Sequence, residues 1–255
     1  MAMMFTQEFH VPSYAVGADN RLRLSALLQL QQEAGEQQMT ENGLSFNSLH
    51  QRGVAFVVTR LRSQITRLPT MGEKVILKTW HRDVKSIQFF RCYTLTDQAG
   101  SPLIDSVTAF ALVDTAQHRL LRPEALDAFR LPDQPECTNN CPDPTKEIAP
   151  ALIEVAAVRP RWSELDPNGH VNNTRYADFL CDNIPSGMDR KTPQELAICF
   201  EREIRPDDRL TLSAAEERWQ QEDKTGGVAW VCGHHARGRA FTARLSYEDD
   251  YVRRF

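Results

Sequence analysis

The 255-residue chain contains 41% hydrophobic and 25% charged residues and carries a formal net charge of −4 at pH 7. This composition supplies enough apolar side chains for a core and excludes a disordered chain, which would combine low hydrophobicity with high net charge. No apolar run reaches the roughly 20 residues that cross a bilayer, and the N-terminus lacks a signal-peptide pattern, so we expect a cytoplasmic protein.

The first half of the chain predicts a strand, a helix and then several strands. The strand is "FTQEFHVPSY" at 5–14, and apolar residues recur at helical spacing over 22–39. Asp19 or Ser25 is a start signal for this helix and Gly43 a stop signal. Four alternating runs follow at 54–68, 73–84, 87–97 and 102–114, separated by turn residues, and they favour an antiparallel meander.

A basic stretch runs through these predicted strands, with only two acidic residues between its ends. One interpretation is strands with solvated outer faces; the other is a docking face for an acidic partner. Nucleic acid is disfavoured because the whole chain is not basic. The basic residues are Arg60, Arg62, Arg67, Lys74, Lys78, Arg82, Lys85 and Arg91.

Prolines mark the middle of the chain, since six of them lie within 123–150. Such a segment favours extended backbone, so we predict an N-terminal unit at 1–130, a linker at 131–150 and a C-terminal unit at 151–255. The second unit repeats the first: a strand at 153–162, a helix at 172–184 and strands at 195–204, 209–219, 228–238 and 241–249. The pattern predicts an α+β fold in which two copies of one unit pack together as a pseudo-dimer.

Polar residues crowd the turn before the second helix, in "DPNGHVNN" at 166–173. Turn and helix-capping preferences account for most of them without catalysis. They do not account for His170, and the matching turn of the first half, "GADNRLRLS", has no histidine. We therefore expect one reactive loop per chain. The amides of Val171, Asn172 and Asn173 would stabilise an oxyanion, Asn168 and His170 would polarise the substrate, and Asp166 would orient either of them.

No cofactor or metal is expected. The cysteines are scattered, and in a chain of this length without an export signal we expect them to be reduced thiols. Cys137 and Cys141 lack a second ligand pair with matching spacing, and the histidines other than His170 show no ligand spacing. These histidines are His10, His50, His81, His118, His234 and His235.

The "DPNGHVNN" loop, the doubled units and "VVTRLRSQITRLPTMGEKVILKTW" together resemble the acyl-acyl-carrier-protein thioesterases. The similarity runs over about 5–247. This family consists of tandem hot-dog enzymes. In each hot-dog unit a curved antiparallel sheet wraps around one helix. The resemblance implies hydrolysis of fatty acyl-acyl-carrier protein in fatty acid biosynthesis.

The resemblance also implies a general base or a nucleophile, because the family places an acidic residue with that role on the strand after the second helix. Glu203 occupies that position. The alternative is a surface carboxylate paired with Arg202 or Arg205. Many family members carry cysteine immediately after this glutamate, whereas this chain has Ile204, so a thiol nucleophile is not supported. We expect Cys181 and Cys199 to be core thiols.

The remaining expectations concern the substrate and its carrier. By the resemblance, the acyl tail lies between the helix and sheet of the first unit, with Val57, Trp80 and Phe89 as pocket walls, although ordinary core packing explains each of them too. The acidic acyl carrier protein would meet the basic stretch. Two alternatives remain open: an acyl- or aryl-coenzyme A thioesterase of the same fold, and a non-catalytic protein that binds acyl thioesters. The sequence leaves chain length, saturation and homodimer formation open.

Overall fold

The computed structural model describes residues 4–117, 119–126, 134 and 137–250. Its residues group into two units, 1–144 and 145–255. Among the described residues, no helix combines the length and apolar character needed to cross a bilayer.

The first unit places two helices between its first and second strands. The elements are β1 (Phe5–His10), a 3-10 helix (Ser13–Ala15), α1 (Leu24–Glu41), α2 (Phe46–Gln51), β2 (Val54–Ile65), β3 (Lys74–Lys85), β4 (Gln88–Asp97), β5 (Pro102–Asp114) and β6 (Arg119–Leu120). Its sheet runs in the order β1-β3-β4-β5-β2, with β6 on β5. The predicted meander is correct for β3 to β5 but wrong for β2, which pairs with β5 because β1 takes the edge of β3.

The second unit repeats this arrangement with a shorter helix. Its elements are β7 (Ile153–Val158), 3-10 helices (Trp162–Glu164 and Asn173–Arg175), α3 (Tyr176–Asp182), β8 (Lys191–Phe200), β9 (Leu210–Gln221), β10 (Lys224–His235) and β11 (Gly238–Asp249). The sheet order β7-β9-β10-β11-β8 is that of the first unit, strand for strand. The predicted α+β fold, with one strand-helix-sheet unit repeated in the chain, is therefore confirmed.

Helix α1 shows why the first unit folds around it. Leu24, Leu27, Leu28 and Ala34 recur at helical spacing and are buried, which is the pattern of a helix with one face on a sheet. The helix ends where Gly43 adopts φ +78°, a conformation that glycine accepts readily. The predicted stop signal is thus confirmed, whereas neither Asp19 nor Ser25 caps the start, because the N-cap is Arg23 with no side-chain cap.

Helix α3 packs through aromatic side chains. The Tyr176 ring lies 5.1 Å from Phe200 and 4.9 Å from Phe241, both edge to face, and Phe179 stacks on Phe241 at 6.1 Å. Burial of one such ring contributes about 1.5–3 kcal/mol, so the cluster fixes the start of α3 on the sheet. The polar loop that precedes α3 is held in place by the same packing.

Part of the predicted linker packs on the first sheet. The Trp80 indole N–H donates to the Cys137 carbonyl at 2.7 Å, the Asn139 side-chain amide donates to the Tyr93 carbonyl at 2.9 Å, and Cys141 is buried beside Trp80 and Phe90. Residues 131–133, 135 and 136 of the predicted linker lie outside the described residues. The segment 137–143 is therefore a cover for one face of the first sheet and not a free connection.

Candidate active site

The loop before α3 is a closed backbone turn. Leu165 and Val171 form an antiparallel bridge, the Asp166 N–H donates to the His170 carbonyl at 2.8 Å, and the Gly169 N–H donates to the Asp166 carbonyl at 2.9 Å. Gly169 adopts φ +75°, which the turn requires. We call residues 165–173 the second-unit loop.

The Asp166 carboxylate stabilises this loop through hydrogen bonds from backbone N–H groups of the loop. Its Oδ1 accepts the backbone N–H groups of Asn168 at 2.8 Å and His170 at 3.2 Å, and its Oδ2 lies 3.4 Å from the Asn168 side-chain nitrogen. No hydrogen bond from Asp166 to the His170 ring is recorded among the described residues. Of the two side chains that Asp166 was expected to orient, it contacts the Asn168 amide, whereas it holds His170 through the backbone N–H.

Two of the three predicted oxyanion amides are already engaged. The Val171 N–H donates to the Ile204 carbonyl at 2.9 Å and the Asn172 N–H to the Glu164 carbonyl at 2.8 Å. The Asn172 side chain caps the helix start by accepting from the Thr174 N–H at 2.9 Å. Val171 and Asn172 thus cannot offer their amides to a substrate, since an N–H makes one strong bond. Among the described residues, the Asn173 N–H has no acceptor.

Glu203 lies in the connection between β8 and β9, three residues after the end of β8. Its predicted placement on a strand is wrong, because the strand stops at Phe200. The side chain is 42% exposed and pairs with Arg205 at 2.7 Å, as the alternative interpretation expected. Burial opposes ionisation of Glu203, but hydrogen bonds from its own N–H and from Arg205, with the charges of Arg205 and His170, hold its pKa below the usual range. Glu203 is therefore a carboxylate near neutral pH.

The fold brings Glu203 and His170 to one place. The hydrogen bond from Val171 to Ile204 joins the two segments, and each of the two candidate residues directly precedes one of these bonded partners. The electrostatic interaction between the His170 ring and the Glu203 carboxylate is one cause of the lowered pKa of Glu203. The carboxylate of Glu203 and the imidazole of His170 are therefore close enough for their charges to interact.

Tyr176 is a residue of this region that the sequence pattern does not indicate. The helical spacing places it on the buried face of α3, and its side chain is buried. Burial raises the pKa of the Tyr176 phenol, as do the charges of Glu203 and Asp166, while a hydrogen bond with the Ile204 backbone opposes them. The phenol stays protonated and is close enough to Glu203 to sense its charge.

The first unit contains the same backbone turn, at residues 16–24, which we call the first-unit loop. Asn20 adopts φ +62° where Gly169 adopts φ +75°. Four hydrogen bonds correspond one for one, each of the first unit followed by its counterpart: Gly17 to Arg21 (2.8 Å) and Asp166 to His170 (2.8 Å); Asn20 to Gly17 (3.0 Å) and Gly169 to Asp166 (2.9 Å); Leu22 to Pro69 (2.9 Å) and Val171 to Ile204 (2.9 Å); Arg23 to Ala15 (3.0 Å) and Asn172 to Glu164 (2.8 Å).

The side chains on the two loops differ. In the hydrogen-bond correspondence, His170 matches Arg21, which pairs with Asp19 at 2.9 Å. Glu203, which precedes Ile204, matches Leu68, which precedes Pro69 and is buried. The carboxylate and the imidazole are thus present in the second unit alone of these two matched loops.

Comparison with known proteins gives the family. The profile of the acyl-ACP thioesterase N-terminal domain matches residues 2–126, and that of the acyl-ACP thioesterase C-terminal domain matches residues 150–237. The chain belongs to the acyl-ACP thioesterase family. A palmitoyl-acyl carrier protein thioesterase of Arabidopsis thaliana is 25% identical over 79% of this chain and 52% of its own length. The chain spans about half the length of the curated relatives it matches first.

Solved structures agree with this family fold. The chain is similar to an acyl-ACP thioesterase from Bacteroides thetaiotaomicron, with a TM-score of 0.83 at 18% identity over 96% of this chain and 98% of that one. It is also similar to a 12:0-ACP thioesterase from Umbellularia californica, with a TM-score of 0.79 at 20% identity over 98% and 99%. The two units of the present chain are therefore tandem hot-dog units.

The residues that the family resemblance assigned to an acyl pocket do not share one face of the first sheet. A Cβ on Gly35 of α1 would lie 3.2 Å from the Tyr93 hydroxyl, so Tyr93 faces the helix and its neighbour Cys92 faces away. Trp80 is directly opposite Cys92 and faces away with it. Assigning Trp80 to the space between helix and sheet is therefore wrong.

The other two predicted pocket residues also divide between the faces. Phe89 is on the helix side, packed 5.0 Å from Phe56 in a cluster with Leu44 and Leu112. Val57 alternates with Phe56, lies on the opposite face and is 40% exposed. Assigning Val57 to the helix–sheet space is wrong for the same reason as Trp80, and Phe89 occupies a packed core.

The basic stretch is largely neutralised. Arg91 is buried, with 5% of its surface exposed, against Gln38 of α1. Arg67 pairs with Glu73 at 2.6 Å, and Lys74 pairs with Glu8 at 2.8 Å. Arg82 and Lys85 share Asp143, each at 2.7 Å. Five of the eight basic residues are thus buried or ion-paired, and the interpretation of this stretch as a docking face stays a prediction.

The cysteines do not supply a nucleophile at this site. All six thiols are free. Burial, with the charges of Asp178 and Asp182, raises the pKa of Cys181 to about 12, and Cys199 is buried with its sulfur against the Thr145 carbonyl at 3.4 Å. Among the described residues, which exclude His118, no group of three or more acidic, histidine or cysteine residues is arranged to hold a metal ion.

Proposed function

We propose that this protein hydrolyses fatty acyl-acyl-carrier protein to a free fatty acid and the carrier protein. The family membership supports the substrate class, and the second-unit loop with Glu203 supplies groups suited to thioester hydrolysis. The observation that carries the proposal is the exchange of side chains on one backbone turn. The second unit has His170 and Glu203 where the first has Arg21 and Leu68.

In this proposal Glu203 is the general base. Its lowered pKa keeps it ionised at neutral pH, so it accepts a proton from the water that attacks the thioester carbon. The attack forms a carbon–oxygen bond and moves negative charge onto the carbonyl oxygen. The carbon–sulfur bond then breaks, and the carrier thiolate leaves and takes up a proton. Direct attack by the Glu203 carboxylate, through an acyl-enzyme anhydride that water hydrolyses, is the alternative route to the same products.

The oxyanion needs hydrogen-bond donors, and the structure narrows the choice. The Asn173 N–H has no acceptor among the described residues, and Asn168 carries a side-chain amide held only by a long contact of 3.4 Å to Asp166. The loop also contributes His170, which in its protonated form stabilises negative charge. We assign oxyanion stabilisation to these three groups, and Val171 and Asn172 to holding the helix start.

A panel of acyl groups on a bacterial acyl carrier protein tests the function. We expect release of free fatty acid by the unmodified protein and a loss of turnover on the order of 10²–10³-fold in Glu203→Gln, because the base is removed at constant shape. Asp207→Asn is the matched control, since Asp207 is an exposed acid of the same connection, and it should retain turnover. Equal turnover in Glu203→Gln and Asp207→Asn would contradict the assignment of Glu203.

Labelled water separates the two routes. In a single turnover in H₂¹⁸O, a general base puts the label into the fatty acid and leaves Glu203 unlabelled. Direct attack, followed by attack of water on the Glu203 carbonyl of the anhydride, releases an unlabelled fatty acid and puts the label into Glu203. An unlabelled first fatty acid together with a labelled Glu203 peptide, both measured by mass spectrometry, therefore identifies the nucleophile route.

The same acyl group on coenzyme A tests the coenzyme A alternative. A higher kcat/KM on coenzyme A than on the carrier protein would favour that alternative. Binding of acyl thioesters with no hydrolysis on any carrier would favour the non-catalytic one.

A further inference from the structure

The two ends of the second-unit sheet carry opposite charge. At one end β7, β8 and β10 finish and β9 and β11 begin, and this end includes the second-unit loop and Glu203. We call residues 159–175, 201–209 and 234–239 the site end. It holds eight arginines against six carboxylates, whereas residues 182–191, 216–224 and 247–250 at the other end hold nine carboxylates against four cations.

Most carboxylates of the site end are already engaged. Glu201 pairs with Arg239 at 2.5 Å, and Asp208 pairs with Arg237 at 2.8 Å. Glu203 pairs with Arg205. Asp166 accepts loop amides, and Glu164 accepts the Arg161 backbone N–H at 2.7 Å. Most carboxylates of the site end are therefore bonded to groups of the same unit and do not neutralise its remaining arginines.

Four exposed arginines are left without an acidic partner among the described residues. They come from two neighbouring segments, because the β7–β9 ladder pairs Val158 with Leu210 and so brings residue 159 next to residue 209. The Arg202 side chain lies across the β10–β11 turn, with its Nε 3.1 Å from where a Cβ on Gly238 would lie. The four are Arg159, Arg161, Arg202 and Arg209.

An exposed aromatic side chain accompanies these arginines. Trp162 is 89% exposed and lies in the 3-10 helix that directly follows Arg161 and precedes the second-unit loop. Tryptophan and arginine are the residues most enriched among those that dominate binding energy at protein interfaces. An exposed tryptophan beside guanidinium groups without an acidic partner suits the surface of an acidic protein, because such a pair offers both a large contact area and positive charge.

We propose that Arg159, Arg161, Arg202 and Arg209, with Trp162, form the surface on which an acidic acyl carrier protein docks. The proposal rests on the proposed function for the identity of the partner. It places the carrier at the second unit, where Glu203 and His170 lie, and not on the basic stretch of the first unit, in which five of the eight basic residues are buried or ion-paired. The negative opposite end of the sheet orients an approaching acidic partner toward the site end.

Charge reversal with two substrates tests this surface. Arg161→Glu/Arg209→Glu should lower kcat/KM for palmitoyl-acyl-carrier protein by about tenfold or more through a raised KM, because opposite charges become like charges at the interface. Its kcat/KM for the uncharged thioester palmitoyl-N-acetylcysteamine should stay within about twofold. The matched double reversal Arg60→Glu/Lys78→Glu, on the basic stretch, should leave both values unchanged.

The opposite pattern overturns the proposal. A loss with Arg60→Glu/Lys78→Glu but not with Arg161→Glu/Arg209→Glu would return the docking site to the first unit. An equal loss on both thioesters would show that the arginines support the site itself. An equal loss on palmitoyl-coenzyme A and palmitoyl-acyl-carrier protein would show that they bind phosphate near the thioester.

Direct binding separates this proposal from the proposed hydrolysis. Titration of the unmodified protein with apo-acyl carrier protein by isothermal calorimetry should show binding that weakens with added salt. Trp162→Ala should weaken it, and Tyr14→Ala should not, since Tyr14 is similarly exposed, at 80%, but belongs to the first unit. No hydrolysis with salt-sensitive binding would contradict the function and keep the surface. The opposite result is hydrolysis of the substrate while Trp162→Ala and Arg161→Glu/Arg209→Glu bind the carrier protein as tightly as the unmodified protein. That result would support the proposed function and contradict the proposed docking surface.

Discussion

The first-unit loop and the second-unit loop are the same turn with different side chains. Their four backbone hydrogen bonds agree in partners and nearly in length, and both turns need one residue with positive φ. The backbone alone therefore serves the fold in both units. The side chains at the positions of Arg21 and His170 can differ, because these two residues take part in the bonds that close the turn through their backbone carbonyls alone.

The difference also shows how each loop is held. In the first-unit loop the Asp19 carboxylate accepts the Arg21 N–H at 3.1 Å, and position 17 is glycine. A Cβ on Gly17 would lie 3.1 Å from that carboxylate, so an aspartate there would compete with Asp19 for the same space. The second-unit loop moves the carboxylate to Asp166 and so leaves an amide, Asn168, at the position of Asp19. The exchange puts an amide, which the proposed mechanism uses as a hydrogen-bond donor, where the first-unit loop has a carboxylate.

Exchanging the two sets of side chains is the strongest way to break this comparison. We expect His170→Arg/Glu203→Leu to lower turnover of the acyl carrier substrate by about 10³-fold, since the imidazole and the carboxylate are replaced by the side chains found at the matching positions of the first unit. The converse single change Arg21→His should leave turnover within about twofold. Steady-state kinetics measure both, with circular dichroism confirming that each variant is folded. Turnover in the double variant near that of the unmodified protein would remove the catalytic meaning of the comparison.

Asp166 variants distinguish a backbone role from a ring role. Asp166→Ala removes the acceptor of two N–H groups and should lower kcat about tenfold, because the loop no longer holds His170 and Asn168 in place. Asp166→Asn keeps an acceptor oxygen and should restore most of this loss. Failure of asparagine to rescue kcat would indicate that the negative charge itself acts in the reaction.

The pH profile tests the pairing of Glu203. Hydrolysis needs the carboxylate, so the rate falls as pH drops through the pKa of Glu203, which Arg205 helps to hold below its usual range. Arg205→Ala removes that hydrogen bond and charge, raises the pKa and should move the acid limb of the profile to higher pH. Measurement with palmitoyl-N-acetylcysteamine avoids effects on carrier docking. Arg190→Ala, at the opposite end of the sheet, should leave the limb where it is.

Substitution of Gly169 gives the smallest effect and tests the shared turn. Nothing lies within 4 Å of a Cβ at Gly169, so the cost of a side chain comes from its φ of +75° alone. Gly169→Asn should be nearly neutral, because Asn20 adopts φ +62° at the matching position. Gly169→Val should lower the free energy of unfolding by about 1–3 kcal/mol, since β-branched residues avoid this region. Urea unfolding measures both, and equal losses would contradict the strain argument.

Much of the fold is predictable from the sequence because it depends on local patterns. Alternation over 54–114 and 191–249 predicts strands, helical spacing predicts α1, and repetition of the pattern predicts two alike units. Helix α2 could not be predicted in this way, because its six residues are too few to show a helical periodicity. The order of the strands could not be predicted either, because it depends on the long-range pairing of β1, which precedes the helices, with one edge of β3.

The candidate site divides in the same way. The sequence by itself determined the turn before α3, the presence of its histidine and the arginines on both sides of Glu203, since residue type and spacing fix these. Only the tertiary structure decided which donors remain available, because the Val171 and Asn172 amides are used by carbonyls 33 and 8 residues away along the chain. It likewise decided that Trp80 faces away from α1 and that five of the eight residues of the basic stretch are buried or ion-paired. Strand register and ion-pair geometry join residues distant in sequence, and no local pattern encodes those distances.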